Sequence, residues 1–468
     1  MWNLQRFSKK TAIICEDGIK LTYGELDTLQ SQCVRFMSQR RKLVLLIVDN
    51  SMESIILYIS CIQNKIPIML MEDSMRRNEL ESIIMAYQPF YVWMPNGYML
   101  VHNYSDFGVF RGYRLMISNE NEKVVPINSN LALLLLTSGS MGGRKCVRIS
   151  YKNIDANQNS IVKALEITRQ DVAMIMLSIC YCYGLSVVNS NLSAGATLLL
   201  PKSKLFEKEY WEFFDRNKGT SICGVPYTYE ILFKTGFMFM KLNHLRLITQ
   251  AGGKLEKKWL RKLLQYSQDK EIDVAVMYGQ TEATARMSTF FLNRFPEKIN
   301  SVGNVIDGGK FCIEKADPNG IGEVVYFGEN VSMGYADGVS DLYLGDKNTQ
   351  KLYTGDLGYL DAEGFLYLTG RKKRFAKIHG YRINLVELEE LLEQNSGAKV
   401  VCIENAEKIT VCILHQSDYE KVSSACDLLD LDSRLLDIRK VKKIPRNSYG
   451  KVLYEALRKE ICVMNDYQ

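Results

Sequence analysis

Histidine is scarce in this chain, and its cysteines do not form a metal-binding pattern. The four histidines, His102, His244, His379 and His415, are too dispersed to suggest a metal cluster. The segment Cys180-Tyr181-Cys182 lacks the second cysteine pair that a structural zinc site needs. Buried thiols that act as small apolar side chains are therefore the better interpretation.

Long apolar runs are also missing. The longest, such as Leu43–Val48 and Leu131–Leu136, fall far short of the roughly 20 residues that a membrane span needs. The first residues, Met1–Arg6, turn polar at once and are not followed by the apolar region of an export signal. The twelve cysteines are scattered through a long chain, which is typical of reduced thiols. We therefore expect no membrane span and a cytoplasmic location.

A strong charge bias is absent as well. The net charge of +6 is spread over 468 residues, and most of the excess lies in Arg371–Arg374 and Arg439–Arg446. Nucleic-acid domains carry a stronger basic bias and a recognisable module, so we expect no nucleic-acid partner. The two basic runs are either solvated faces or phosphate contacts.

Short apolar segments alternate with amphipathic helical patterns over the first three quarters of the chain. This alternation predicts parallel sheets covered by helices, and the length allows two or more domains. Segment Gly322–Tyr335 predicts a smaller antiparallel β unit. The predicted strands of the sheets are Leu43–Val48, Ile66–Met71, Met174–Leu177, Thr197–Leu200 and Val274–Met277.

The pattern changes after Gly370. A basic segment is followed by Asn384 and, three residues on, by Glu387, which resembles a capping box opening a helix. Two strands, Lys399–Ile403 and Ile409–Leu414, and a basic final strand complete a small α+β unit. We place a domain boundary near Lys373, which gives domains 1–372 and 373–468.

The densest chemical signal is Leu131–Ser150. A buried strand enters a loop with three glycines and three hydroxyl side chains, and a second strand follows Lys145. Glycines let backbone N–H groups crowd around an anion, and Lys145 adds charge, so the loop resembles a phosphate cradle. It is not the usual NTPase loop, because Gly-Lys-Ser/Thr and the following helix are missing. By itself it is equally compatible with a tight turn.

Three further segments carry groups suited to a nucleotide. Val276–Glu282 ends a predicted strand with an aromatic ring, a glycine and a carboxylate. Tyr353–Leu357 puts Asp356 on a turn, where its carboxylate can accept hydrogen bonds from ribose hydroxyls. Ile444–Lys451 places a lysine after a glycine. Taken singly, the aromatic ring is compatible with core packing and the lysine with a surface charge.

Together and in this order, these segments resemble the adenylate-forming superfamily of acyl-CoA synthetases, peptide-synthetase adenylation domains and beetle luciferases. The resemblance runs from Thr11–Ile14 and Leu21–Leu26 to Lys451 and covers nearly the whole chain. It implies an α/β fold: a large N-terminal domain of parallel αβ layers plus a β-barrel, and a small mobile α+β C-terminal domain.

The resemblance also implies roles for individual residues. Glu282 would bind Mg²⁺, and Asp356 and Arg371 would hold the ribose of ATP. Lys451 would bridge the substrate carboxylate and the α-phosphate, and Lys373 would be the hinge about which the C-terminal domain swings. The residues implied to hold the phosphates are Thr137, Ser138, Gly139, Ser140, Gly142 and Lys145, and those implied around the rest of the nucleotide are Gly252, Gly253, Tyr278, Gly279 and Thr281.

The chain departs from the family pattern at two places. In the phosphate loop, Met141 replaces a hydroxyl residue and Arg144 replaces a proline. A thioether cannot donate to a phosphate, although the arginine adds a compensating charge. At the other place Asn384 stands where the family usually has Glu, which is compatible with helix capping.

The acid-binding region favours a substrate without an amino group. Amino-acid-activating members pair the substrate ammonium with an aspartate, but the corresponding segment Ser178–Leu185 has no acid. We expect a small non-amino carboxylic acid, in a pocket that contains Tyr181, Tyr183, Val225 and Tyr227.

The resemblance leaves the acceptor and two other functions open. The acceptor is CoA or the phosphopantetheine of a carrier protein, and the basic strand Arg439–Lys443 is a candidate contact for an acidic carrier. The predicted function is thus an ATP- and Mg²⁺-dependent acid–thiol ligase. The alternatives are a non-catalytic nucleotide-binding relative, an aminoacyl-adenylating ligase, and a kinase or ATPase that forms ADP.

Overall fold

The structure is a computed structural model that describes most of the chain. Its described ranges are 1–37, 41–98, 103–119, 126–136, 145–372, 374–378, 381–405, 408–429, 435–447, 450 and 452–465. By internal packing the chain divides into two compact units: Met1–Lys310 with Tyr326–Leu352, and Phe311–Val325 with Tyr353–Gln468. Within these ranges, every helix is too short or too polar to cross a membrane.

Helices and strands follow one another along the described residues of both units. The helices are α1 Tyr23–Val34, α2 Met52–Gln63, α3 Arg77–Tyr87, α4 Tyr151–Ala164, α5 Cys182–Ala194, α6 Lys208–Arg216, α7 Pro226–Lys234, α8 Lys257–Lys270, α9 Leu385–Ser396, α10 Tyr419–Leu428 and α11 Tyr454–Asn465. The strands are β1 Thr11–Cys15, β2 Lys20–Thr22, β3 Val44–Val48, β4 Ile68–Glu72, β5 Tyr91–Pro95, β6 Tyr104–Phe110, β7 Tyr113–Ser118, β8 Leu131–Leu136, β9 Cys146–Ser150, β10 Val172–Met174, β11 Thr197–Leu200, β12 Ser221–Gly224, β13 Leu247–Gln250, β14 Asp273–Tyr278, β15 Ser288–Phe291, β16 Asn304–Val305, β17 Gly309–Glu314, β18 Gly322–Gly328, β19 Tyr335–Ala336, β20 Lys351–Leu360, β21 Leu366–Arg371, β22 Phe375–Ile378, β23 Tyr381–Asn384, β24 Val400–Asn405, β25 Lys408–Ile413 and β26 Leu436–Lys440.

The first unit is built on two large sheets. Within the described residues, one sheet has the order β16-β15-β14-β13-β12-β10-β11-β1-β2 and the other β19-β9-β8-β4-β3-β5-β7-β6. The inner strands of both sheets run parallel, and the antiparallel pairs lie towards the ends. Helices cover the parallel strands, so strands such as β3 are buried along their whole length.

Local sequence signals set the helix ends next to the sheets. Helix α1 begins after Thr22, which forms a capping box with Glu25. Helix α4 follows β9 directly, and Ser150 and Asn153 cap each other there. Helix α5 ends at Gly195, whose φ of +74° lies in the left-handed region that glycine adopts at low cost.

The second unit contains most of a four-stranded sheet, of order β17-β18-β20-β21, and the elements that follow it. Of the predicted β unit Gly322–Tyr335, strand β18 lies in this sheet, whereas Tyr335 begins β19, which pairs with β9 in the first unit. Beyond it, helices α9 and α10 pack on the sheet β24-β25-β26 around an aliphatic core that includes Leu388, Leu392, Val411 and Val422. Helix α9 begins at Leu385, as the capping pattern predicts.

The fold class predicted from the sequence is confirmed, but one strand is misplaced, and Asp356, predicted on a turn, lies within strand β20. Strand β10 ends at Met174, whereas the sequence predicts a strand over Met174–Leu177. The chain turns at Ser178, because the carbonyl of Ser178 accepts a hydrogen bond from the N–H of Tyr181. It then continues into α5. The predicted joint at Lys373 lies outside the described residues, so the boundary between 372 and 373 stays a prediction.

Candidate active site

One hairpin loop of the first unit carries three of the predicted site residues, Gly279, Thr281 and Glu282. Strand β14 ends at Tyr278 and β15 begins at Ser288, its cross-strand partner, so residues 279–287 form the loop between them. The loop contains one turn of 3-10 helix, Thr281–Ala283. It therefore presents Glu282 at the end of a buried strand, where the sequence predicts it.

The hairpin loop has a backbone that only some residues tolerate. A Cβ atom on Gly279 would lie 1.7 Å from the carbonyl oxygen of Ala285, so no other residue fits there without movement. Thr284 and Ala285 have φ values of +60° and +142°, which residues other than glycine rarely adopt. Such conformations persist where surrounding contacts fix them, and they cluster at functional sites.

Glu282 is held by groups from two other segments. Its carboxylate accepts a 2.7 Å hydrogen bond from the hydroxyl of Tyr335, and its carbonyl oxygen accepts one from the N–H of Ser332. The ammonium of Lys145 lies 4.3 Å from the centre of the Tyr335 ring, which is a cation–π contact. Burial, followed by the nearby Glu282 charge, raises the pKa of the Tyr335 phenol, so it remains a donor at neutral pH.

These contacts join two predicted nucleotide-binding residues that are distant in sequence. Lys145 precedes β9, and β9 pairs with β19, the strand that begins at Tyr335. The lysine, the phenol and the carboxylate therefore form one small polar cluster, which we call the Lys145–Glu282 cluster. Tyr335 was not predicted from the sequence, because nothing near Glu282 in the chain points to a residue 53 positions away.

The predicted acid pocket lies next to the start of helix α5. Tyr181 is buried at the N-cap position, and its ring lies 6.3 Å from that of Tyr183, edge to face. A Cβ atom on Gly252 would lie 2.5 Å from the Tyr181 hydroxyl oxygen and 3.0 Å from Val225. The structure thus brings Tyr181, Tyr183, Val225 and Gly252 together, and their role in binding the acid stays a prediction.

Two other predicted residues stand near this pocket with different surroundings. Gly253 packs against the ring of Pro226, 3.2 Å from the position of its missing Cβ atom. Tyr227, on α7, is 54% exposed, so its predicted place in the pocket stays a prediction.

A contact between Thr281 and Cys182 links the pocket to the Lys145–Glu282 cluster. The hydroxyl of Thr281 lies 3.4 Å from the sulfur of Cys182, the first residue of α5. Thr281 directly precedes Glu282, and Cys182 lies between the two pocket tyrosines. Burial raises the pKa of both phenols well above the ordinary value, so the pocket wall is uncharged there.

The side chain of Tyr183 is fixed at both ends. Its hydroxyl donates to the carbonyl oxygen of Thr249 on β13 at 2.9 Å and lies 2.7 Å from the Thr249 hydroxyl, a contact in which either oxygen can donate. The guanidinium carbon of Arg286 lies 5.0 Å from the centre of its ring. Arg286 was not predicted from the sequence either, because an arginine next to a strand is most often a surface residue.

In the second unit, the predicted ribose ligands form a pair. Asp356 and Arg371 face each other across β20 and β21, and Arg371 Nε donates to Asp356 Oδ1 at 2.7 Å. Asp356 is 3% exposed, whereas Arg371 is largely exposed. The arginine thereby holds the carboxylate in one orientation.

The remaining predicted site residues lie outside the described residues. They are Thr137, Ser138, Gly139, Ser140 and Gly142 of the phosphate loop, its atypical residues Met141 and Arg144, and the two lysines Lys373 and Lys451. Their roles stay predictions.

Comparison with known proteins identifies the family. A family model described as AMP-binding enzyme matches residues 1–336. The chain therefore belongs to the AMP-binding enzyme family, and the predicted class, an AMP-forming acyl ligase, is confirmed.

Individual relatives are similar over long stretches. The chain is 27% identical to a 2-succinylbenzoate–CoA ligase of Lactococcus lactis over 339 residues, 71% of each chain. It is 25% identical over 485 aligned positions to the 2-succinylbenzoate–CoA ligase of Oceanobacillus iheyensis, 96% of each. A solved structure of O-succinylbenzoate coenzyme A synthetase from Bacillus subtilis, in complex with AMP, superposes with a TM-score of 0.79 over 98% of each chain at 20% identity, which bears on the fold alone.

The donor set suits magnesium better than a metal held by protein alone. In the part of the chain that the structure describes, no group of three or more His, Cys, Asp or Glu side chains could hold a metal ion. Mg²⁺ usually binds through one or two carboxylates, substrate phosphates and water. Glu282, oriented by Tyr335 beside the cationic Lys145, fits that mode.

Proposed function

We propose that the protein activates a small non-amino carboxylic acid with ATP, releases pyrophosphate, and transfers the acyl group from acyl-AMP to a thiol. The observation that carries this proposal is the contact between Thr281 and Cys182, which links the Lys145–Glu282 cluster to the buried tyrosines Tyr181 and Tyr183. A phosphate-binding edge and an acid-binding pocket must adjoin if a carboxylate is to attack the α-phosphorus.

The charges in the cluster match the needs of that step. Negative charge converges on a phosphorus already surrounded by oxygens, so cations aimed at it stabilise the transition state. Lys145 supplies one cation, and Tyr335 holds the Glu282 carboxylate in the orientation in which it would bind the metal. Magnesium bound there would offset the charge of the triphosphate.

The pocket explains why the acid should lack an amino group. Buried phenols line it, and segment Ser178–Leu185 offers no carboxylate to pair with an ammonium. Burying an unpaired ammonium in such a site costs about 3–5 kcal/mol of binding free energy.

For the acceptor, CoA and a carrier protein's phosphopantetheine present the same thiol. The candidate contact for an acidic carrier is the basic segment at and after β26, where Lys440, Lys442 and Lys443 are exposed. Arg439 contributes less charge, because it pairs with Asp437 on the same strand. The carrier would be identified as the acceptor by a higher kcat/KM for the carrier than for CoA. Replacing these lysines with glutamate should abolish that preference.

A cytoplasmic location is part of the proposal. All eleven cysteines whose side chains the structure describes are free thiols, and most are buried. Disulfides are rare in reducing compartments, so this usage is typical of cytoplasmic proteins.

The decisive experiment is ATP–pyrophosphate exchange with a panel of carboxylic acids, followed by identification of the nucleotide product. The proposal requires exchange with at least one acid and AMP as the product once a thiol is added. Release of ADP would indicate a kinase or ATPase instead. Nucleotide binding without exchange for any acid would favour a non-catalytic relative.

A further inference from the structure

Arg286, at the end of the hairpin loop, is a buried cation for which the described part of the chain offers no acidic partner. Its side chain is 2% exposed, and its Nε has no hydrogen-bond partner among the described residues. Its guanidinium carbon lies 5.0 Å from the centre of the Tyr183 ring. Burying a charge is costly unless the charge is paired, so this arrangement calls for an explanation.

Arg148 on β9 shows how a structural arginine is accommodated in the same unit. It is also fully buried, but its guanidinium donates to the backbone carbonyls of Met333, Tyr335, Leu344 and Gly345 at 2.6–3.1 Å. Those contacts satisfy the side chain without any ligand. Arg286 has no such set of acceptors among the residues that the structure describes.

Within the ranges that the structure describes, the surroundings of Arg286 are polar but contain no free carboxylate. Burial lowers the pKa of its guanidinium, while the phenols of Tyr183 and Tyr181 and the thiols of Cys182 and Cys223 act in the opposite direction. Among the described residues, Asp171 is the acid that lines a cavity together with Arg286 and Tyr183. Its oxygens are already engaged by Arg246, the Thr220 hydroxyl and the N–H of Thr168.

The backbone keeps Arg286 in place. Its carbonyl oxygen accepts hydrogen bonds from the buried amides of Asn157 and Asn330, at 3.0 and 2.8 Å. The preceding Ala285 has a φ of +142°, which turns the chain so that Arg286 stands over Tyr183. These contacts fix the backbone from which the side chain of Arg286 extends.

Arg286 is also continuous with the acid pocket. It contacts Tyr183, whose ring contacts Tyr181, and the hydroxyl of Tyr181 lies against Gly252. An acid whose reacting carboxylate lies near the Lys145–Glu282 cluster would thus extend its far end along the two tyrosines towards the guanidinium.

We propose that Arg286 binds a second carboxylate on the acid substrate, so that the enzyme activates one end of a dicarboxylic acid and recognises the other. This inference rests on the function proposed above. A guanidinium presents two parallel N–H donors that match a carboxylate, and the pair forms a strong contact in a site that excludes water. Neutral acids of the same shape leave the arginine unpaired and bind poorly.

The test is exchange kinetics with matched acid pairs. Each pair consists of a dicarboxylic acid and its monoamide: malonic and malonamic, succinic and succinamic, glutaric and glutaramic, phthalic and phthalamic acids. For the best pair, we expect the wild type to prefer the diacid by about 100-fold in kcat/KM, mainly through KM, as for a buried charge pair.

Two variants and a control complete the design. Arg286→Gln should remove the preference by raising KM for the diacid about 100-fold while kcat changes little. Arg286→Lys should retain an intermediate preference, because it keeps the charge but loses the planar fork. Arg261→Gln, an exposed change on α8, should behave as wild type.

The outcomes separate the two proposals. Exchange with monoamides and diacids at equal efficiency in the wild type would overturn the role of Arg286 and leave the acid–thiol ligase intact. A parallel loss for all acids in Arg286→Gln would also overturn it, since stacking on Tyr183 alone would explain such a loss. Absence of exchange with every acid would refute the proposed function, and this inference with it.

Discussion

At the scale of single residues, the orientation of Glu282 depends on Tyr335. The phenol donates to the carboxylate, and its ring faces the ammonium of Lys145. Removing the Tyr335 hydroxyl alone separates these two roles, because the ring would still make the cation–π contact with Lys145.

We therefore expect Tyr335→Phe to weaken magnesium-dependent ATP binding without unfolding the protein. A hydrogen bond to a charged group contributes about 1.5–3 kcal/mol, which predicts a rise of roughly 10- to 100-fold in the Mg²⁺ concentration needed for half-maximal exchange. Tyr343→Phe, at an exposed tyrosine of the same unit, is the control. An unchanged Mg²⁺ dependence in Tyr335→Phe would contradict the role of Tyr335 in orienting Glu282 for the metal.

Motif residues were predictable from the sequence, whereas their supporting residues were not. Glu282 and Lys145 stand out because each follows a strand or a glycine-rich loop in a recognisable order. Tyr335 and Arg286 act only through contacts made in the folded chain, and neither has a local pattern. A sequence read without relatives gives no signal for such contacts.

At the scale of elements, the hairpin of β14 and β15 is the most constrained part of the site. Gly279 allows the loop to fold back on itself, and the positive φ values of Thr284 and Ala285 continue that path. The buried amide of Asn330 donates to the carbonyl oxygens of Ala283 and Arg286 and so links two points of the loop backbone.

Gly279→Ala should distort this loop and abolish exchange. The added Cβ would lie 1.7 Å from a backbone oxygen, which must move by more than 1 Å to relieve the clash. Overpacking of this kind costs about 1–3 kcal/mol, which differential scanning calorimetry can detect as a lower Tm. Gly345→Ala, which meets no atom within 4 Å, is the matched control. Full activity in Gly279→Ala would mean that the loop geometry does not matter for catalysis.

The pairing of β20 with β21 defines a second functional element. Arg371 holds the buried carboxylate of Asp356, the predicted ribose ligand. Because pyrophosphate has no ribose, Asp356→Ala should weaken ATP binding by roughly 10-fold or more and leave pyrophosphate binding nearly unchanged.

Isothermal titration with each ligand measures this difference directly. Asp427→Ala, at an exposed residue of α10 in the same unit, should change neither affinity. Equal losses of ATP and pyrophosphate affinity in Asp356→Ala would contradict a contact with ribose.

At the scale of the whole molecule, the order of elements carried more information than any single strand. Alternating apolar strands and amphipathic helices predicted the two parallel-stranded sheets, because only a helix-covered sheet buries both faces of such strands. The end of β10 was misplaced, since periodicity does not register the turn at Ser178. A domain rearrangement leaves no comparable pattern, so the hinge at Lys373 rests on the family resemblance.

The last prediction tests that rearrangement through Lys451. If this lysine contacts the α-phosphate only in the adenylating arrangement, Lys451→Ala should reduce acyl-AMP formation by about 100- to 1,000-fold, the usual effect of losing one stabilising donor at a transition state. Thioester formation from a supplied acyl-AMP should change by less than about threefold, because that step would proceed after the lysine has withdrawn. The two rates are measured by ATP–pyrophosphate exchange and by thiol consumption with synthetic acyl-AMP. Lys459→Ala, at an exposed residue of α11, controls for loss of charge nearby. Equal losses in both half-reactions would contradict domain alternation and indicate one fixed arrangement for both steps.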